Sequence, residues 1–104
     1  MQVQVHTDSS LKSNAILTQT VEEAVENAVR RWTPRITRVE AHLSDINGHK
    51  GGADDKRCLL EARIGGLQPI AVTHQAGTLR EAVDGAAEKL RKILENTISR
   101  LSDR

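Results

Sequence analysis

RCLLEARIGGLQPIAVTHQ, residues 57–75, decides the fold. In its first half Cys58, Leu60, Ala62 and Ile64 alternate with Arg57, Leu59, Glu61 and Arg63. A period of two is that of a strand with one face buried and one in water. Gly65-Gly66 then predicts a turn. The second half places Ile70 and Val72 on the inward side again. Pro69 has no N–H to give to a ladder, which points to an edge strand or a strand's first residue. The stretch therefore reads as a hairpin whose single apolar face needs a cover.

The cover is predicted on both sides of it. Downstream, Thr78 caps a long helix whose apolar residues are Leu79, Ala82, Val83, Ala86, Ala87, Leu90, Ile93, Leu94, Thr97, Ile98 and Leu101. This is one stripe at helical spacing. Ala82, Gly85, Ala86 and Ala87 are small, so the backbone can approach a strand or a neighbouring helix closely. Gly85 lowers helix propensity by roughly 1 kcal/mol relative to Ala, and a packing reason should offset that. Upstream, ITRVEAHLSD (36–45) sets Thr37, Val39, Ala41 and Leu43 against Arg38, Glu40 and His42. INGHKGGADDK, which follows, carries three Gly and mixed charge and predicts a hairpin tip. From about Asn14 to Trp32, Leu17, Val21, Ala24, Val25, Ala28, Val29 and Trp32 form a second helical stripe, stopped by Pro34. Thr20 and Glu23 can form its capping box, or it starts earlier, near Asn14. DSSLKSN is a polar connector, and QVQVHT (2–7) alternates as a first strand.

The order is βαβββα. One sheet face is polar and each helix has one apolar stripe, so both helices belong on the other face. The expected architecture is α+β: a two-layer sandwich of a four-stranded sheet and two helices, in one domain spanning residues 1–104.

With 104 residues, the chain can bury a single modest core. Fifteen Lys and Arg against fourteen Asp and Glu give a net charge of +1. Attraction to a polyanion then requires segregated charge. The single cysteine, Cys58, excludes an intrachain disulfide and a multi-cysteine zinc site. MQVQVHTDSS has no cationic and apolar leader pattern, and no apolar run approaches the ~20 residues that cross a bilayer. A cytoplasmic protein without a membrane partner is expected. Trp32 is the sole aromatic apart from histidines. That excludes a platform of aromatic rings for stacking single-stranded bases.

The residues argue against an enzyme, and against a cofactor, a small-molecule substrate or a metal. Cys58 falls on the inward side of its strand, as a small core residue rather than a nucleophile. His6 and His42 fall on the polar sheet face and can pair across strands. His74 reads as an exposed polar residue. His49, Asp54 and Asp55 share one loop with Asp45 nearby, but the glycine of Asp45-Ile46-Asn47-Gly48 comes too early for a calcium loop and no helix flanks it. On the last helix, Lys89, Lys92 and Arg100 fall on one flank of the stripe. Arg80 and Arg91 fall on the other, close to Asp84 and Glu95. The first helix is acidic outward until Arg30 and Arg31.

Three segments in this order carry a resemblance: RITRVEAHLSDING, RCLLEARIGGLQPIAV and AGTLREAVDGAAEKLRKIL. They resemble the ribosome hibernation-promoting factors, also called ribosome-associated inhibitors or sigma-54 modulation proteins. In the last segment the family's A-V-D-x-x-x-x-K-L pattern stands at Ala82, Val83, Asp84, Lys89 and Leu90. The resemblance implies a ribosome-binding domain of the hibernation-promoting type, in a short form without the C-terminal dimerisation domain of long members. It also implies binding to the small ribosomal subunit on the path of mRNA and tRNA, and inhibition of translation under stress. Contact with ribosomal RNA would use Lys89, Arg91 and Lys92, with Arg80, Arg30, Arg31 and Arg100 as further candidates. The chain departs from the family at Glu95 and Asn96, where further cations are common, and at Arg80, where an aromatic often stands.

The alternative is a protein-interaction or regulatory α/β module that does not bind RNA. Its surface would be the polar sheet face, with Leu59, Arg38, Arg57, Arg63 and Glu40, or a sheet edge.

Overall fold

The computed structural model describes residues 1–8, 14–46 and 55–102. Strand β1 (Gln2–Thr7) leads into helix α1 (Ala15–Val29), a 3-10 turn (Arg30–Arg35) and strand β2 (Ile36–Asp45). Strands β3 (Lys56–Ile64) and β4 (Ile70–Ala76) follow, and helix α2 (Leu79–Ser102) ends the described chain. The sheet order is β1-β2-β3-β4. β1 runs parallel to β2, and the other two pairings are antiparallel. Both helices cover one face, as the two apolar stripes require; α2 lies over β3 and β4 with α1 beside it. The predicted α+β sandwich is the observed one.

Local chemistry sets the element ends. Asn14, not Thr20, caps α1: its Oδ1 accepts from the Leu17 amide at 2.7 Å. Such a cap contributes about 1 kcal/mol. Thr20 instead turns its hydroxyl back to the Ile16 carbonyl at 2.9 Å. At α2, Thr78 and Glu81 form the reciprocal pair, with the Glu81 amide donating to Thr78 Oγ1 at 3.1 Å and the hydroxyl donating to Glu81 Oε1 at 3.0 Å. α1 stops at Val29, three residues before Trp32. Pro34 cannot give an amide to an α-helix, so RRWTPR tightens into the 3-10 turn and buries Trp32 there. Gly66 holds φ at 80° in the β3–β4 turn, a conformation that favours glycine, and the Leu67 amide closes the turn on the Ile64 carbonyl at 3.1 Å. β4 begins directly after Pro69 and is an edge strand.

One strand face differs from simple alternation. Thr37 is exposed and Ile36 is buried, because the β2–β3 register shifts between Ile36 and Arg38. This irregularity turns Ile36 inward with Val39, Ala41 and Leu43. It leaves the Thr37 hydroxyl to donate to the Arg63 carbonyl at 3.1 Å.

The core lies between the layers. Val21, Val25 and Val29 of α1 meet Val39, Leu43, Leu60, Ala62 and Val72 of the sheet and Val83, Ala87, Leu90 and Leu94 of α2. Burying one such Val or Leu side chain contributes about 1.5–3 kcal/mol. Ile93, expected on the stripe, sits at its margin and is 38% exposed. Cys58 is fully buried, and desolvation pushes its thiol up to about 12, so it stays protonated near neutral pH. At the open end of β2 and β3, Lys56 Nζ lies 3.3 Å from Asp45 and 3.0 Å from the buried Asp55. The hairpin tip beyond them, with His49 and Asp54, lies outside the described residues, as does most of the 8–14 connector.

Candidate nucleic-acid interface

α2 presents its cations on two flanks with different surroundings. One flank faces α1 across a groove of about 430 Å³, lined by Glu23, Asn27, Arg80, Asp84, Glu88 and Arg91 over an alanine floor. Here the charges neutralise one another. Arg91 forks between Glu88 at 2.7 Å and Glu95 at 2.9 Å. Arg80 Nε lies 3.3 Å from Asp84. The hydrogen bonds from Arg91, with its charge and that of Lys92, lower the Glu88 pKa below the usual carboxylate value, and Glu88 raises that of Arg91 in return. A cation already held by two carboxylates gains less from a phosphate than a solvated one.

The other flank faces the β4 edge. Lys89 Nζ donates to the Thr73 carbonyl at 2.8 Å, which uses one of its three N–H groups and sets the ammonium at the sheet's rim. Lys92 and Arg100 are exposed on the same flank. Gly85 lies there too, and a methyl on it would fall inside the His74 imidazole. His74 is therefore not an exposed polar residue: it is half-buried on the helix-facing side of β4, seated over the glycine. This packing is the offset that Gly85 required.

Of the seven predicted cations, the structure groups Lys89, Lys92 and Arg100 on one flank and places Arg80 and Arg91 on the opposite one. Arg30 and Arg31 stand apart from both, on the 3-10 turn. Arg30 donates to Asn27 Oδ1 at 2.6 Å, and the Arg31 guanidinium lies 5.3 Å from the Trp32 ring centroid. The polar sheet face carries further cations that the sequence reading assigned only to a protein surface. Arg38 stands directly opposite Arg63, and Glu40 opposite Glu61. His6 and His42 do pair across β1 and β2, with stacked rings 4.8 Å apart, and His6 Nε2 lies 3.6 Å from Glu40. Alternation put these side chains on one face, but only the register brings like charges together.

The model of the sigma 54 modulation protein / S30EA ribosomal protein family matches residues 11–102. The chain belongs to that family. Two solved structures share the fold of this S30EA-family chain at low identity. A ribosomal subunit interface protein from Coxiella burnetii is 13% identical with a TM-score of 0.80, over 95% of this chain and 99% of that one. The Protein Y N-terminal domain of Thermus thermophilus is 15% identical with a TM-score of 0.77, over 93% and 99%. No curated protein matches the sequence. Among the described residues no helix is long and apolar enough to cross a membrane, and no group of three or more His, Cys, Asp or Glu has the geometry to hold a metal ion.

Proposed function

We propose that this S30EA-family protein acts in the cytoplasm as a ribosome hibernation factor. It binds the small ribosomal subunit through ribosomal RNA, occupies the path of mRNA and tRNA, and inhibits translation under stress. The observation that carries this reading is the family match over residues 11–102, the whole of the sandwich except β1.

The geometry is suited to the task. Folded RNA can be held through phosphates and 2′-hydroxyls without base stacking, so a lone buried Trp32 is no handicap. Lys89, tethered at the β4 rim, and Lys92 supply solvated charge on a rigid element. Inhibition by occupancy needs no catalytic group: a rigid body that fills the path suffices.

Sedimentation tests it. In a sucrose gradient of lysate, the protein should travel with ribosomal particles at low salt. It should shift to the top as salt rises, because phosphate contacts release counterions. A protein that stays at the top at every salt concentration is a protein-binding module, and the ribosome reading fails.

A further inference from the structure

Five arginines from three elements gather at one end of the molecule, apart from the cations of α2. β1, β2 and β4 run one way and β3 the other. α1 returns from the end of β1 to the start of the parallel β2, so it runs against them. α2 follows β4 through a two-residue connection and lies back over β3 and β4, so it does too. One end of the molecule therefore holds the 3-10 turn, the start of β2 and the finish of β3. Arg30, Arg31 and Arg35 come from the turn, Arg38 from β2 and Arg63 from β3. The opposite end holds Asp8, Asp45, Asp55 and Glu81, with Lys56, Arg57 and Arg80 among them.

Backbone contacts fix Arg35, Arg38 and Arg63 as neighbours. The Gly65 amide donates to the Arg35 carbonyl at 3.2 Å, and Arg38 and Arg63 are register partners. Two like charges directly opposite on a sheet destabilise it. Each is only partly relieved along its own strand: Arg38 lies 3.7 Å from Glu40 and Arg63 lies 3.4 Å from Glu61. Arg38 Nε is buried with no hydrogen-bond partner, the sole such side-chain atom among the described residues. Two register-paired arginines whose side chains remain 35% and 48% exposed suit a shared anion.

We propose that Arg35, Arg38 and Arg63 at this end form a second RNA-contacting surface that clamps backbone phosphates. RNA fits better than a protein here. A protein interface has an apolar centre, whereas at this end Trp32, Ile36 and Ile64 are buried and Leu67 is partly buried, which leaves Met1, 38% exposed, as too little for one. The inference rests on the ribosome reading for its biological target, but the chemistry it needs is only the phosphodiester.

The test compares Arg35→Gln/Arg63→Gln with wild type and with Arg57→Gln, which removes an arginine from the other end of β3. Binding to purified small subunits is measured by sedimentation, and to a fluorescein-labelled A-form RNA duplex by anisotropy, between about 50 and 200 mM salt. The double variant should bind more weakly and lose about 1.5 from the slope of log affinity against log salt, at 0.7–0.9 per phosphate contact. Arg57→Gln should leave the slope unchanged. The isolated double variant should melt no lower than wild type, because an opposed charge pair has been removed. Subunit binding that persists unchanged in the double variant, or falls as far in Arg57→Gln, overturns the arginine clamp and leaves the ribosome reading standing. Wild type that ignores subunits but binds the duplex, with the loss confined to Arg35→Gln/Arg63→Gln, overturns the ribosome reading and supports the clamp.

Discussion

Gly85 is the residue at which helix propensity and tertiary packing disagree. Alanine there would favour the helix by roughly 1 kcal/mol, yet its methyl would enter the space of the His74 ring. Overpacking of this kind costs about 1–3 kcal/mol. Gly85→Ala should therefore lower the melting temperature in the wild-type background and raise it in His74→Ala, a reversal of sign that thermal denaturation of the four-member cycle reads directly. The glycine's departure from helix preference was legible in the sequence; its partner was not. His74 is eleven residues away on another element, and its polar character hid the fact that strand parity turns it toward the helix with Val72 and Ala76.

At the scale of the element, α2 is a helix whose two flanks have been given different work by the placement of four acids. Asp84, Glu88 and Glu95 hold Arg80 and Arg91 on the α1 side. The fourth, Glu81, is used by the cap. The Glu88 carboxylate has its folded pKa lowered, chiefly by the Arg91 hydrogen bonds. Its contribution is thus present above the unfolded value of about 4.3 and is lost as pH falls through the lower folded value. Glu88→Gln should be less stable than wild type at neutral pH, and the gap should close below about pH 4, as urea melts across the acid range would show. These i,i+3 and i,i+4 spacings were readable in the sequence, because helical neighbours follow from a fixed local geometry. What the spacings could not show is that Arg91 would choose Glu88 and Glu95 together.

Across the whole molecule, a net charge of +1 conceals two cationic regions. For the flank facing β4, Lys89→Gln/Lys92→Gln should weaken subunit binding and flatten its salt dependence by more than Arg80→Gln/Arg91→Gln does, since the second pair is already satisfied by carboxylates. Sedimentation at several salt concentrations compares them, with circular dichroism to verify that both variants fold. If the groove pair matters equally, the carboxylates exchange freely for phosphate and the two flanks are equivalent. The expectation that Lys89, Arg91 and Lys92 act together came from resemblance. Helical spacing already put Arg91 on the flank opposite Lys89 and Lys92; the structure adds that Arg91 is held there by Glu88 and Glu95 while Lys89 is tethered at the β4 rim.

The sequence by itself determined the order of the elements, their apolar faces and most of their ends. Periodicity, proline, glycine and caps act over a few residues, through sterics and hydrogen bonds that any chain of this composition obeys. Only the tertiary structure decided which charges meet. The bulge that inverts Thr37 and Ile36, the seat of His74 on Gly85, and the gathering of arginines from residues 30 to 63 at one end all depend on register and strand direction. Those are set by how the buried faces pack across the sheet, a non-local condition that no window of sequence contains.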